Sequence, residues 1–273
     1  MDYRFSVLIP VYCKEKPEYF SEALASVIDQ TLKPNEIVVV KDGPLTDGLE
    51  EVLAKYDATN PGLFKIVTLE SNQGLGVALA KGVEECSYEL IARMDSDDIS
   101  RSDRFEKQIA EFEKDQDLDI CGSQIAEFEA DITNVISYRR VPLEDKSIKK
   151  FQRKRSAFNH PTIMFKKSSI LEVGNYETSP FMEDAMLYVK LFLSGARGSN
   201  IDEALVYFRI SREMYLRRGG WDYFKNYKST RRKIYEIGYI SAFEYYYSLF
   251  SHCVLAIMPN EIRGQIYRKV LHR

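Results

Sequence analysis

Residues 5–12 (FSVLIPVY) form a nearly continuous apolar run rich in β-branched side chains, the pattern of a strand covered on both faces. The period then changes. Over residues 18–30, Phe20, Ala23, Leu24, Val27 and Ile28 recur at helical spacing behind Pro17, which suits a first helical turn. Residues 36–41 (EIVVVK) read as a second buried strand stopped by Asp42-Gly43-Pro44. Residues 49–56 read as helix and residues 64–69 as strand. Leu75, Ala78, Leu79, Gly82 and Val83 make the next helical face, residues 89–94 a fourth strand, and Phe105, Ile109 and Phe112 line a helix beyond it.

Strands alternating with helices at this rhythm predict an α/β fold with a mostly parallel, Rossmann-like sheet flanked by helices. Right-handed crossovers put successive strand ends on one side, where open α/β sheets bind their ligands. Three turns fall there: residues 10–13, Asp42-Gly43 and residues 95–98. Distant in sequence, they are expected to converge. After Leu118 the rhythm loosens. Residues 119–128 and 135–141 read as an antiparallel pair, 146–154 as a basic helix, 183–193 as a helix with Leu187, Leu191 and Phe192 inward, and 204–210 as a strand. Residues 215–272 read as helical, with breaks near Gly238 and Pro259. The expected division is a catalytic domain over 1–210 and a helical extension over 211–273.

Composition adds little until it is mapped along the chain. With 273 residues, 45% hydrophobic and a net charge of −3, the whole molecule carries no nucleic-acid signal. Residues 209–273, however, hold 13 Lys/Arg against 5 Asp/Glu, while residues 1–208 hold 25 against 36. Aromatics (Tyr215, Trp221, Tyr223, Phe224, Tyr227, then Phe243, Tyr245, Tyr246, Tyr247 and Phe250) interleave with the basic positions. That combination suits helices lying on an anionic membrane surface, or packed on the catalytic domain or a second subunit. The four cysteines, Cys13, Cys86, Cys121 and Cys253, show no paired or metal spacing and fit a reducing cytoplasm. No signal-peptide pattern opens the chain, and its most apolar late stretch, residues 245–258, falls short of the ~20 residues a spanning helix needs.

The candidate chemistry is concentrated in Asp95-Ser96-Asp97-Asp98. Three carboxylates at one strand end repel unless protonated or bridged by a cation. All-oxygen ligands without nearby His or Cys suit Mg²⁺ or Mn²⁺, leaving positions for a diphosphate. Alone, such a cluster is also what a solvated turn with a helix cap looks like. Its place after the fourth strand is what raises it.

Several segments occur together in a fixed order: Ser6-Val7-Leu8-Ile9-Pro10-Val11-Tyr12, Ser26-Val27-Ile28-Asp29-Gln30-Thr31, Glu36-Ile37-Val38-Val39-Val40-Lys41-Asp42-Gly43, Asn72-Gln73-Gly74, Ala92-Arg93-Met94-Asp95-Ser96-Asp97-Asp98 and the later Glu183-Asp184. In this order and spacing the chain resembles family 2 of the glycosyltransferases, enzymes of the GT-A fold, over roughly residues 4–210. The resemblance implies roles. Pro10, Val11 and Tyr12 would line the nucleoside pocket, and Asp42 would accept a hydrogen bond from the base, as suits a uracil imide N–H. Asp95 and Asp97 would form the DxD-type motif touching ribose and metal, with Ser96 on the donor side and Asp98 sharing the metal. Asp184 would be the catalytic base, with Glu183 its rival. His160, in Asn159-His160-Pro161-Thr162, would face the diphosphate or the acceptor, and Arg209 and Arg212 would meet phosphate or simply solvate.

The departures are local. Cys13 stands where many relatives have Asn, and Lys41 replaces the first of a common acidic pair. The QxxRW motif of processive relatives is missing, since Gln152-Arg153-Lys154-Arg155 lacks the Trp. The expectation is an inverting, metal-dependent enzyme (Mn²⁺ or Mg²⁺) that moves one sugar from a nucleotide-diphosphate donor, a UDP-sugar, to a glycan or lipid-linked acceptor. It would work in surface polysaccharide biosynthesis, in the cytoplasm or peripherally on the inner face of the plasma membrane, as a monomer or oligomer. The alternatives are a nucleotidyltransferase, for which no glycine-rich basic triphosphate loop follows the first strand, and a non-catalytic nucleotide-sugar binding module, which would not need the acidic cluster and base.

Overall fold

The computed structural model describes residues 3–177, 182–210 and 220–257. The first half follows the alternation read from the sequence. Strand β1 (Phe5–Val11) leads to helix α1 (Pro17–Ile28), β2 (Glu36–Lys41), α2 (Asp47–Thr59), β3 (Phe64–Thr68), α3 (Leu75–Glu85) and β4 (Leu90–Arg93). These four strands pair in parallel in the order β3-β2-β1-β4. Their alternate side chains enter two separate cores. Val7, Ile9, Ile37 and Val39 pack with α1, α2 and the later Phe105, Ile109 and Phe112 on one face, and Leu8, Val38 and Val40 pack with α3 on the other. Burial on both faces is why these strands read as unbroken apolar runs.

The second half is where the sheet becomes mixed. After the two-residue β5 (Ile99–Ser100) come α4 (Arg104–Lys114), β6 (Leu118–Phe128), β7 (Ser137–Arg139), α5 (Asp145–Gln152), a 3₁₀ turn (His160–Thr162), β8 (Met164–Lys166), α6 (Lys167–Glu172), α7 (Glu183–Leu193) and β9 (Arg197–Arg209). Strand β8 runs antiparallel between β4 and β6, β6 pairs in parallel with β9, and β5 and β7 add antiparallel edges. The expected antiparallel pair is β6 with β7. The short β5 and β8 carry no periodic signal of their own. Strand β9 starts at Arg197 rather than 204, because pairing with β6 draws the polar Ser199-Asn200 segment into the sheet despite its composition.

Two helices, α8 (Gly220–Glu236) and α9 (Ala242–Ile257), follow, with the expected break around Gly238 (φ 79°). The other expected break, at Pro259, and the helical readings of residues 215–219 and 258–272 lie outside the described residues. Ile234, Tyr239, Ile240 and Tyr245 join the same core as α3 and α7. Arg153, just past α5, clasps the two helices: it donates to the Tyr239 carbonyl (2.6 Å) and to Glu244 (2.8 Å). No described helix is long and apolar enough to cross a membrane.

Candidate active site

The three turns meet at the carboxyl ends of β1, β2 and β4. The Asp42 N–H donates to the Val11 carbonyl (2.8 Å), and the Met94 N–H to the Leu8 carbonyl (3.0 Å). Asp42 is 5% exposed, and both its carboxylate oxygens accept backbone N–H groups, from Gln73 (2.7 Å) and Gly74 (3.0 Å). The Asp42-Gly43 turn is thus tied to the Asn72-Gln73-Gly74 loop. Gly43 permits this: its φ is +85°, and a Cβ there would stand 2.7 Å from the Asn72 nitrogen. Pro10 and Val11 are buried in β1, and Tyr12 is half-buried just past it.

The acidic cluster sits in a loop pinned at both ends. Met94 is buried beneath it, and β5 ties its far end to β9. One carboxylate oxygen each of Asp95, Asp97 and Asp98 lies within 4.8 Å of the others. Unit charges that close repel by about 3 kcal/mol per pair at an effective dielectric of ~20. Burial and the neighbouring charges of Asp95 and Glu15 push Asp97 up to about 7, and burial with Asp97 raises Asp98 well above the ordinary range. Asp98 has one oxygen accepting the Arg209 N–H (2.8 Å), while its other oxygen is buried without a partner among the described residues.

Two buried guanidinium groups brace this loop. Arg93, 2% exposed, forms a two-pronged ion pair with Asp95. Arg104, fully buried, donates to the Arg93 carbonyl (2.7 Å) and to Gln108 (2.9 Å), and burial followed by the charge of Arg93 lowers its pKa to about 9. With Asp95 paired, Asp97 and Asp98 are left with the charge that one divalent cation balances. An all-oxygen donor set with an orphaned buried oxygen fits Mn²⁺ or Mg²⁺. Ser96 donates to Glu15 (3.0 Å).

The structure gives Arg209 a different place from the expected phosphate contact. Its guanidinium lies 3.9 Å from the Tyr19 ring and 4.5 Å from the Phe128 ring, pairs with Glu22, and donates to the Asp97 carbonyl (2.9 Å). With Nε and Nη2 engaged, it ties the acidic loop to α1. Arg212 lies outside the described residues.

Asp95, His160 and Asp184 line one cavity of about 590 Å³. Asp184 starts α7 and accepts from Ser156 Oγ (3.1 Å). Burial raises its pKa. Burial and the charge of Asp184 push Glu183 up to about 7. Glu183 does not line the cavity. The residue before the pair, Met182, holds φ at 57°, an uncommon conformation for a non-glycine residue. His160 Nε2 bonds the Tyr176 hydroxyl (3.1 Å), and burial, then Arg93, lowers its pKa well below 6.5, so the ring is neutral. Glu15, Arg93, Arg104, Ser156 and Tyr176 were given no role from the sequence. Only Arg93, inside the quoted acidic segment, carried a readable signal there.

Residues 6–174 match the family described as Glycosyl transferase family 2. The chain belongs to that family. This family 2 chain is 37% identical over 270 residues to the Escherichia coli UDP-Gal:alpha-D-GlcNAc-diphosphoundecaprenol beta-1,3-galactosyltransferase, covering 99% of this chain and 97% of that one. It is 34% identical to the amylovoran biosynthesis glycosyltransferase AmsE of Erwinia amylovora, over 97% of this chain and 98% of that protein. Its GT-A fold matches two solved structures. One is a mannosyltransferase from Pyrobaculum calidifontis in complex with GDP-Man and Mn²⁺ (TM-score 0.65, 17% identity, 95% of this chain and 71% of that one). The other is S. aureus TarS 1-349 with UDP-GlcNAc (TM-score 0.63, 20% identity, 98% and 71%). As a family 2 glycosyltransferase the chain is an enzyme of sugar transfer.

Proposed function

We propose that this enzyme transfers a single sugar, with inversion, from a UDP-sugar to a hydroxyl of a lipid-linked glycan acceptor in surface polysaccharide assembly. The observation that carries this reading is the shared cavity of Asp95, at the acidic cluster, and Asp184, at the start of α7. Kinship over the full length with the E. coli galactosyltransferase supports the donor and acceptor classes and makes UDP-galactose the first donor to try.

In this reading Pro10, Val11 and Tyr12 border the nucleoside, and Asp42 accepts the uracil imide proton on a lone pair its backbone partners leave over. Asp97 and Asp98 hold the divalent ion, while Asp95 is kept by Arg93 for the ribose and donor edge. A Mn²⁺ or Mg²⁺ ion there supplies positive charge against the departing diphosphate. Asp184 takes the acceptor hydroxyl proton as the oxygen attacks the anomeric carbon and the bond to the diphosphate breaks on the opposite face. Ser156 holds one oxygen of Asp184, leaving the other for the acceptor. Neutral His160 offers a hydrogen bond but no charge, which suits the acceptor sugar better than the diphosphate.

The enzyme works in the cytoplasm, docked on the inner face of the plasma membrane. Phe243, Tyr246, Tyr247 and Phe250 lie at i, i+3, i+4 and i+7 on α9 and are 64–78% exposed, a stripe suited to the headgroup boundary. A thermal-shift screen of nucleotide-sugars with Mn²⁺ and Mg²⁺, on wild type and Asp97→Ala, tests the central reading. UDP-sugars should stabilise the wild type only with metal, and the variant not at all. A wild type that no nucleotide stabilises would sink it.

A further inference from the structure

One half of the cavity beside Asp184 has no task in the transfer step. Its lining there includes Arg139, Lys154, Arg155 and Arg231, and among the described residues the carboxylates on its wall are Asp95 and Asp184. Arg139, at the end of β7, is paired with the fully buried Glu127. Arg231, 2% exposed, donates to neutral partners, Ser248 Oγ (3.2 Å) and the Arg153 carbonyl (2.9 Å). Arg155 is half-buried and Lys154 exposed; their backbone N–H groups bond the Phe151 carbonyl, and neither side chain has a hydrogen bond or ion pair with a described residue. The Arg155 guanidinium lies 5.1 Å from the Phe151 ring centroid, and burial followed by the charge of Arg139 lowers its pKa. A half-buried cation beside a second cation, without an anion, is unfavourable until an anion arrives.

We infer that this half of the cavity is a subsite for the diphosphate of the acceptor, with Arg155 and Lys154 as its anion ligands. The inference rests on the transfer reading above and specifies its acceptor half. Two observations put the subsite on that side. Pro10, Val11, Tyr12 and Asp42 do not line the cavity, so it extends away from the nucleoside end. Arg155 is also the chain neighbour of Ser156, which bonds Asp184, and all three line the same cavity. Tyr223, Tyr227 and Arg231 of α8 and His252 of α9 also line the cavity. A cavity of this size is within the range of small-molecule sites.

Decyl diphosphate, which carries no sugar, is the probe. It is titrated by calorimetry in EDTA into wild type, Arg155→Gln and Lys154→Ala, and UDP with Mn²⁺ is titrated in parallel as a check on folding and on the donor site. Lys154 is exposed, so its variant guards against a folding failure at Arg155. Each variant should weaken decyl diphosphate by about tenfold or more while leaving UDP unchanged. In transfer assays, Arg155→Gln should raise KM for an alkyl sugar diphosphate and leave KM for the same sugar as a neutral alkyl glycoside unchanged. Equal affinity for decyl diphosphate in all three proteins, or none in the wild type, overturns the subsite. So does parallel weakening of UDP, which would assign the cluster to the donor. A wild type that binds decyl diphosphate but no UDP sinks the donor reading alone.

Discussion

Asp184, the proposed base, can act only when ionised, and its surroundings work against that. Burial raises its pKa, and Glu183 next to it is pushed up to about 7. A base must be deprotonated, so kcat should fall as pH drops through an inflection above the ordinary carboxylate range, roughly tenfold per pH unit below it. Glu183→Gln removes a competing negative charge, so it should keep activity and move that inflection to lower pH. A pH–rate profile of both proteins checks this, and an inflection that stays put would separate Glu183 from the base. Asp184→Asn should bind UDP as wild type does and lose transfer on the order of 10²–10⁴-fold. Full transfer by Asp184→Asn would move the role elsewhere. At this scale the sequence marked the carboxylates but not their partners. Arg93 pairs with Asp95 two residues away, whereas Arg104, Ser156 and Tyr176 reach the site through folding and share no local pattern with what they support.

Helix α3 shows how an element positions the site. Its Gly82 lies against the sheet, where a Cβ would stand 2.2 Å from Leu8 Cδ1 and 3.0 Å from Val40 Cγ2. Gly82→Ala should therefore cost about 1–3 kcal/mol through overpacking, with UDP affinity unchanged because no donor contact moves. Gly43→Ala should behave oppositely. Its positive φ and the 2.7 Å approach to Asn72 mean that an added Cβ would lever Asp42 off the Gln73-Gly74 backbone. We expect UDP affinity to drop about tenfold, measured with thermal denaturation of the same proteins. Strands buried on both faces, such as β1 and β2, were legible because their composition is uniform. Strands β5 and β8 and the first half of β9 were not, because they exist only through the partners they pair with.

The uneven charge along the chain becomes a surface property at the scale of the molecule. Helices α8 and α9 share the core of the catalytic body through Ile234, Tyr239, Ile240 and Tyr245, and still leave the aromatic stripe of α9 outside. Wild type should co-sediment with anionic vesicles more than with neutral ones, and replacing Phe243, Tyr246, Tyr247 and Phe250 by Ser should abolish the difference. Equal recovery with both vesicle types would remove charge-driven docking from the account.

The sequence by itself determined the parallel half of the sheet, the three turns at its carboxyl edge, and the acidic cluster and the Glu183-Asp184 pair as candidate site residues. Those features are written in local periodicity and in residues close together in the chain. Tertiary structure decided the rest. It made the later half of the sheet mixed, committed Asp95 to Arg93 and Arg209 to the acidic loop, and left Arg155 half-buried without an anion among the described residues. Such assignments depend on which groups meet after folding, because burial and pairing set the energy of a charge and neither is a property of its neighbours in sequence.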